Sequence, residues 1–208
     1  MLDALMQEEV AMNTSAKWIK IGDACTAHAG GTPDRSQKGY YEGGIPWVKS
    51  GEVKGDDIFQ TDESISEEAV SNSSAKIVPS GSVLVAMYGA TAGQTARLRI
   101  DATTNQAVLS LNSNTSELSN DYLYHSVTAF KNQLLLTCQG SGQPNLSSGL
   151  IKVLKIPLPD PLVQHRISSA LDSVRHRVSA LRSKINSAKS LKSLVSADLL
   201  SGRKRVSI

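Results

Sequence analysis

The sequence feature that most constrains the fold is a helical stretch near the C-terminus, from Pro161 to about Ser201. Its apolar residues recur in alternating steps of four and three, and neither Gly nor Pro interrupts it after Leu162. That spacing is typical of a coiled-coil seam rather than of a helix lying on a globular core. Gly202 is suited to end the helix, because glycine readily adopts the left-handed conformation that follows many helices. The seam residues are Ile167, Leu171, Val174, Val178, Leu181, Ile185 and Ala188.

The length of this helix predicts that its seam needs a partner. About 38 residues at a rise of about 1.5 Å form a rod of roughly 57 Å, whereas a domain built from residues 1–160 has an expected diameter of about 40 Å. We therefore interpret the helix as an assembly element; the alternative is a long surface helix packed on its own domain. After Ala188 a three-residue step is inserted, which overwinds a supercoil or turns the seam toward another face. The apolar residues beyond the step are Leu191, Leu194 and Val195.

Charge separates the helix from the rest of the chain. Residues 1–160 hold 12 Lys and Arg against 17 Asp and Glu, whereas residues 161–208 hold 10 against 2. A basic helix indicates an acidic protein partner or nucleic acid, or simply a solvated charged face. The 208 residues suffice for one core-forming domain and an appendage. We therefore expect a domain over 1–160 and a dimerisation or spacer helix with a basic tail over 161–208.

Cysteine usage and hydropathy predict the compartment. Cys25 and Cys138 are the two cysteines, and they lie too far apart to suggest a disulfide framework. With no recognisable signal peptide, we expect reduced thiols and a cytoplasmic location. The longest apolar run, from Val83 to Met87, is far too short to span a bilayer.

The residues before the long helix predict short strands, turns and helices without an internal repeat. Helical spacing indicates helices at 1–12 and 121–136, and Ser64 with Glu67 resembles a helix start. Residues 52–68 are acidic and are predicted to form a surface loop, while Pro46 limits its strand to an edge or short element. The fold class is therefore a mixed α+β domain with a mainly antiparallel sheet, followed by a long C-terminal coiled-coil helix. The predicted strands lie within residues 18–21, 42–51, 77–87, 91–100, 104–111 and 151–156.

No constellation in the sequence favours catalysis. The segment 89–95 superficially resembles a phosphate-binding loop, but it is one residue short between its glycines, and Gln94 stands where a lysine is needed. Cys25 and His28 have the spacing of one zinc-ligand pair, and no second pair follows, so we expect no metal site. The sequence also lacks a nucleophile elbow, an adenosylmethionine-type glycine loop and an Asn-Pro-Pro-Tyr run.

Polar loops bordered by glycines are the feature that remains. Lys, Ser, Gln and Asn side chains on loops are those that hold DNA phosphates or read base edges. The net negative charge of residues 1–160 argues against DNA binding over the whole surface, so a local basic groove would be needed. The scattered basic residues are Arg35, Lys38, Lys49, Lys54, Lys76, Arg97, Arg99 and Lys131.

A series of short motifs in a fixed order carries a family resemblance. Each motif is weak alone, but together they resemble a target recognition domain and its helix from the specificity (S) subunit of type I restriction–modification systems. The resemblance covers nearly the whole chain. The motifs are Trp18–Asp23, Gly30–Pro33, Gly44–Val48, Ser50-Gly51, Val78–Val85, Thr104–Ala107, Gly142–Leu146, Ile156–Pro159, Gln164-x-x-Ile167, Leu171-Asp172 and Leu199–Arg203.

The resemblance implies a non-catalytic DNA reader with no cofactor of its own. In this family the recognition domain binds one half of a split DNA sequence, and the helices act as a spacer. The helices also dock modification (M) subunits, which bind adenosylmethionine and methylate adenine, and a restriction (R) subunit can join the complex. A typical member has two recognition domains and two helices in one polypeptide, whereas this chain has one of each. It therefore resembles a half-size specificity subunit, which would form a homodimer through antiparallel pairing of the seam from Ile167 to Ile185 and read a bipartite palindrome.

Within the family, base readout belongs to the loops between the recurring motifs. By this resemblance we expect the loops at 49–56, 87–95 and 139–145 to contact DNA, although each side chain could instead serve a turn or face solvent. The alternatives for the whole chain are a coiled-coil adaptor whose domain binds protein or sugar, and a truncated reader that inhibits a full-length partner. The candidate DNA-binding residues are Lys49, Ser50, Lys54, Tyr88, Thr91, Gln94, Gln143 and Asn145.

Overall fold

The computed structural model describes residues 17–136 and 145–204. The chain divides into two compact units, Met1–Arg166 and Ile167–Ile208, so that the boundary falls within the first turns of the long C-terminal helix. The helix predicted at 1–12 and Cys138 lie outside the described residues. So does the loop predicted at 139–145, apart from its last residue.

The first unit is a mixed α+β domain, as the sequence predicts. Its described strands are β1 (Lys17–Lys20), β2 (Cys25–Ala29), β3 (Ile45–Val48), β4 (Asp57–Ile58), β5 (Glu63–Ile65), β6 (Val83–Ala86), β7 (Thr95–Leu98), β8 (Thr103–Thr104), β9 (Val108–Ser113) and β10 (Lys155–Leu158). They form three sheets, in the orders β2-β9-β6-β7-β4, β5-β3-β8 and β1-β10. Pairing is antiparallel except between β3 and β8 and between β4 and β7. The mainly antiparallel arrangement is therefore confirmed.

The helices of the described residues include the two longest that the sequence predicts. They are α1 (Ile21–Ala24), α2 (Glu67–Ser71), α3 (Asn120–Leu136), α4 (Ser148–Val153) and α5 (Pro161–Leu200). Both the helix over 121–136 and the long C-terminal helix are thus confirmed. Among the residues that the structure describes, none of these helices combines the length and hydropathy needed to cross a bilayer.

Strand β6 lies at the centre of the largest sheet. Residues 83–87 are all buried, in agreement with their continuous apolar run. A strand that is covered on both faces does not need alternating polar and apolar residues. Leu84 and Ala86 pack in one cluster with Val48 and Leu98. Helix α3 lies against β6, β7 and β9. The domain therefore has an apolar centre from which the loops at the strand ends project.

The acidic stretch 52–68 is not the surface loop that its composition predicts. It contains β4, which pairs in parallel with β7, and β5, which pairs with β3. The predicted helix start is also shifted: Ser64 lies in β5, and Ser66 is the N-cap, its hydroxyl accepting a hydrogen bond from the Ala69 N–H at 3.2 Å. These strands have two and three residues, so their pairing partners rather than their composition determine them.

Two further elements differ from the prediction, and β3 agrees with one of its two alternatives. The segment 151–156 is the end of α4 followed by β10, because Ser147 caps α4 by accepting from the Leu150 N–H at 3.2 Å. Strand β2 has no predicted counterpart. Strand β3 is short, as expected from Pro46, but it lies between β5 and β8 rather than at an edge. The missing N–H of Pro46 is tolerated because pairing with β8 begins only at the next residue.

Helix α5 begins and ends where the sequence predicts. At its start, the Asp160 carboxylate accepts a hydrogen bond from the Leu162 N–H at 2.8 Å. After its end, Gly202 has a φ of +71°, the left-handed conformation that glycine adopts without strain. No proline interrupts the intervening residues, so the helix continues for 40 residues.

Gln164 fixes the first turn of α5 to the domain of the first unit. Its side-chain amide donates to the Glu117 carbonyl at 2.6 Å and to the Pro159 carbonyl at 2.9 Å, and its oxygen accepts from the Ser119 N–H at 3.0 Å. Gln164 is almost fully buried. The glutamine of the Gln164-x-x-Ile167 motif is therefore a structural anchor.

Candidate nucleic-acid interface

The described parts of the three predicted loops meet at one end of the five-stranded sheet. The Gly55 N–H donates to the Thr95 carbonyl at 2.9 Å, which joins the loop at 49–56 to the loop at 87–95. Tyr88 and Asn145 form an antiparallel β-bridge, which joins the loop at 87–95 to the end of the third. The structure therefore aligns segments that are up to 90 residues apart in the sequence.

The loop at 87–95 is a closed turn built on two glycines. Gly89 and Gly93 have φ angles of +73° and +77°, which residues with a Cβ rarely adopt. The Gln94 N–H donates to the Thr91 carbonyl at 2.9 Å, and both side chains are half-buried. Tyr88 is 40% exposed at the start of the turn. Of the candidate side chains in this loop, Tyr88 is thus the most accessible to a ligand.

The loop at 49–56 is held by a carboxylate. The two oxygens of Glu52 accept from the backbone N–H groups of Lys49 and Asp62, at 2.7 and 2.9 Å. This fixes the conformation of the loop where it begins. Ser50 is half-buried, whereas Lys54 is exposed. Lys54 is therefore the cation of this loop that faces solvent most openly.

Lys49 is engaged in an ion pair. Its ammonium group donates to Glu63 Oε1 at 2.8 Å and lies 3.8 Å from Asp62 Oδ2. The hydrogen bond to Glu63 raises the pKa of Lys49. Asn145 is exposed, and Gln143 lies outside the described residues. The candidate residues that the structure describes thus share one surface but differ in exposure and in charge compensation.

Arg35 belongs to the same surface and has no place among the predicted site residues. Its Nη1 donates to Glu63 Oε2 at 2.7 Å, so that Glu63 bridges Arg35 and Lys49. The guanidinium lies 4.0 Å from the ring centre of Tyr41 and 5.2 Å from that of Trp47. Hydrogen bonds from Arg35 and then Lys49 lower the pKa of the Glu63 carboxyl. No sequence spacing indicates this cluster, because its members come from separate loops and strands.

A polar network connects helix α3 with the loops at 49–56 and 87–95. The Tyr124 hydroxyl of α3 donates to the Gly55 carbonyl at 2.8 Å, and the Thr128 and Thr95 hydroxyls lie 2.7 Å apart. The Arg97 guanidinium lies 4.8 Å from the centre of the Tyr124 ring. Arg97 is only 1% exposed, so the prediction that it is a basic loop residue is wrong. Helix α3 thus contacts the C-terminal ends of the loops at 49–56 and 87–95, at Gly55 and Thr95.

Arg97 is buried because carboxylates compensate its charge. Its Nε lies 3.0 Å from Asp57 Oδ1, and its Nη1 lies 2.9 Å from Asp121 Oδ1. Arg97 lies on β7, and Arg99, which follows the end of that strand, is half-buried with its Nε 2.9 Å from Asp57 Oδ2. Arg97 therefore belongs to the interior, and it cannot contact DNA without unfolding of this region.

Cys25 and His28 lie three residues apart on β2, so their side chains point to opposite faces of the sheet and do not form a pair of zinc ligands. Burial raises the pKa of the Cys25 thiol to about 12. Over residues 17–136 and 145–204, the structure contains no group of three or more His, Cys, Asp or Glu side chains arranged to hold a metal ion.

Comparison with known proteins gives the class of this domain. Residues 15–189 match the family described as the type I restriction modification DNA specificity domain. Because the match covers most of the chain, the protein belongs to that family, as the motifs predict.

Two curated relatives place the chain within the family. It is 26% identical over 162 residues to the EcoR124I/EcoR124II type I restriction enzyme specificity subunit of Escherichia coli, covering 75% of this chain and 40% of that one. It is 29% identical over 157 residues to the MjaIX type I restriction enzyme specificity subunit of Methanocaldococcus jannaschii, covering 73% of this chain and 36% of that one. The chain thus matches less than half the length of these relatives.

Solved structures share the fold. A chain from a type I R-M system superposes with a TM-score of 0.70 at 20% identity, covering 94% of this chain and 50% of that one. The HsdS subunit from Thermoanaerobacter tengcongensis gives a TM-score of 0.61 at 17% identity, with coverages of 88% and 47%. The S subunit from M. genitalium gives 0.63 at 12% identity, with coverages of 92% and 48%. The mixed α+β domain with its long helix is therefore the fold of these subunits.

Proposed function

We propose that this chain recognises one half of a split DNA sequence as a specificity component of a type I restriction–modification complex. The observation that carries the proposal is the meeting of the loops at 49–56 and 87–95 with Asn145 at one end of the sheet. These loops present Lys54, Tyr88 and Asn145 to solvent, side chains able to contact phosphates, stack or read base edges. Membership of the specificity-domain family supports the same function.

The chain itself would supply recognition rather than chemistry. We infer that its long helix docks the modification subunits, which bind adenosylmethionine and transfer the methyl group, and that a restriction subunit can join. The basic character of residues 161–208 suits an acidic partner surface or the DNA backbone between the two half-sites. In this scheme the chain contributes binding free energy and geometry, and it requires no cofactor.

The seam of α5 favours a second copy as one of its partners. Along this helix Leu181 and Ile185 are 58% and 53% exposed, and they continue the heptad spacing that starts at Ile167. Exposed heptad seams are stabilised when two helices interlock their side chains. An antiparallel homodimer would relate two identical recognition domains by a two-fold axis, so its DNA target would be a bipartite palindrome.

Selection from random-sequence duplexes tests recognition. The chain is mixed with its modification subunits, and bound DNA is recovered and sequenced. We expect two identical inverted half-sites with a constant gap. Recovery of no defined motif would contradict the proposal and favour a protein-binding adaptor.

Light scattering on the isolated chain tests the pairing of the seam. We expect a dimer at micromolar concentration, and a monomer when Leu181→Glu and Ile185→Glu are combined. Ser183→Glu is the matched control, because Ser183 is exposed on the helix but lies off the seam. A wild-type monomer, or equal effects of the seam and control variants, would contradict the homodimer.

A further inference from the structure

We propose that Arg35 and Lys49 form a binding site for a DNA backbone phosphate, and that Glu63 occupies this site as an internal phosphate mimic when DNA is absent. The inference rests on the proposed function, since the phosphodiester is that of the DNA the domain recognises.

The geometry of Glu63 is that of a bound anion. Its Oε2 accepts from Arg35 Nη1 at 2.7 Å, and its Oε1 accepts from Lys49 Nζ at 2.8 Å. Each oxygen of one anion is thus held by a different basic side chain, as the free oxygens of a phosphodiester are held in charge-assisted contacts. The Arg35 side chain is 55% exposed, and those of Lys49 and Glu63 are each 31% exposed. A phosphate can therefore reach the site from solvent.

Arg35 is held in position before any ligand arrives. Its guanidinium lies over the Tyr41 ring and near the Trp47 ring. Both rings are fixed in turn: the Tyr41 hydroxyl donates to the Pro33 carbonyl at 2.7 Å, and Trp47 Nε1 donates to the Gly31 carbonyl at 3.0 Å. An ordered side chain loses little conformational entropy on binding, which favours its use as a contact.

The position of the site connects it with the candidate interface. Lys49 is the first residue of the loop at 49–56. The Glu52 carboxylate holds the backbone of this loop by accepting a hydrogen bond from the Lys49 N–H. Replacement of Glu63 by a phosphate would therefore extend the DNA contact from this loop to Arg35. The described candidate loops and the site would then form one continuous surface.

The local balance of charges explains how the Glu63 carboxylate would affect DNA binding. Arg35 and Lys49 face the carboxylates of Glu63 and Asp62, with that of Glu52 bound to the nearby backbone. Three carboxylates against two cations repel DNA of any sequence while Glu63 is in place. Base contacts on the cognate half-site would supply the free energy that moves Glu63 aside. Glu63 would thus suppress non-specific binding and increase the ratio of cognate to non-specific affinity.

The test compares Glu63→Gln with Asp62→Asn. The two residues are adjacent, and each variant removes one negative charge. The Asp62 side chain is 76% exposed, and its Oδ2 lies 3.8 Å from Lys49 Nζ, which is too far for a hydrogen bond. Binding of the chain to a random-sequence duplex is measured by fluorescence anisotropy between 50 and 200 mM salt. We expect Glu63→Gln to bind more tightly and to lose about 3.5-fold more affinity over this range than wild type, as one additional phosphate contact per domain requires. Asp62→Asn should change neither quantity comparably.

Two further variants complete the design. Arg35→Ala added to Glu63→Gln should abolish the gain. Arg35→Ala alone should weaken binding to the selected cognate duplex but leave binding to random DNA unchanged, and this comparison does not depend on the folding of Glu63→Gln. Equal behaviour of Glu63→Gln and Asp62→Asn, or an Arg35→Ala variant that binds cognate DNA like wild type, would overturn the inference. If wild type selects no DNA motif, the proposed function fails; if it selects one and these variants show no effect, only the masked phosphate site fails.

Discussion

Replacing Asp57 by alanine should remove a large part of the stability of the recognition domain. Asp57 accepts from Arg97 Nε at 3.0 Å and from Arg99 Nε at 2.9 Å, and its side chain is 11% exposed. Arg97 is buried almost completely. Removing one partner of a buried ion pair costs about 3–5 kcal/mol, because the remaining charge stays out of water. We therefore expect the free energy of unfolding to fall by about this amount.

Urea unfolding followed by tryptophan fluorescence at fixed protein concentration measures the effect. With a slope of about 2 kcal/mol per molar urea, the midpoint should fall by about 2 M. Asp62→Ala is the matched control and should change stability by about 0.5 kcal/mol or less, because its side chain is 76% exposed. A loss below about 1 kcal/mol for Asp57→Ala, the size of an average substitution, would refute the reasoning.

A double variant separates charge from packing. Asp57→Leu combined with Arg97→Met removes both charges at once, and apolar replacement of a buried ion pair is often neutral or stabilising. The double variant should therefore be clearly more stable than Asp57→Ala. If it were equally unstable, loss of packing, rather than a buried guanidinium left with the half-exposed Asp121 carboxylate, would explain the single variant.

Three other changes give separate expectations. Tyr124→Phe removes the hydroxyl that donates to the Gly55 carbonyl at 2.8 Å; it should lower the free energy of unfolding by about 1–3 kcal/mol and reduce selectivity for the cognate half-site, checked by urea unfolding and competition binding. Gln143→Ala should cost about 1–3 kcal/mol on cognate DNA and little on other duplexes if Gln143 reads a base edge, whereas an equal loss on all sequences would show a backbone contact. In a Cys138→Ser background, Cys25 should resist alkylation at pH 8 until the domain unfolds, because burial raises its pKa from 9.0 to about 12; since unfolding releases that proton more easily, stability should fall as the pH rises from 9 towards 12, and rapid alkylation of the folded protein would contradict this.

The long helix could be predicted because its determinants are local. The spacing from Ile167 to Ile185, the absence of helix breakers and the position of Gly202 all lie within one continuous segment. The buried strand β6 could be predicted equally well, because a continuous apolar run indicates burial on both faces of a strand. The prediction of the fold class depended on these elements.

The short strands could not be predicted because their partners are distant in sequence. Strand β4 has two residues and exists through its pairing with β7, some 40 residues later. Strand β2 pairs with β9 across more than 80 residues. Propensity over so few residues is weak, and tertiary pairing decides the outcome.

The candidate site was predicted as a set of loops but not as a set of contacts. The family motifs indicated where the loops begin and end, and the structure places their described parts together. The engagement of Lys49 with Glu63, the alignment of Arg35 beside it and the burial of Arg97 depend on side chains from separate elements. The alternation of Arg97 and Arg99 with apolar residues indicates two faces, but it does not show that α3 and Asp57 cover Arg97.

The most direct test of the central claim is a comparison of two duplexes built from the selected DNA sequence. One contains both inverted half-sites at the selected gap, and the other has one half-site scrambled at constant length and composition. A homodimer that reads both halves should bind the intact duplex about 10²-fold more tightly or better, because the second half-site adds an intramolecular contact. Equal affinity for the two duplexes would contradict the claim that two copies of this chain read one split DNA sequence.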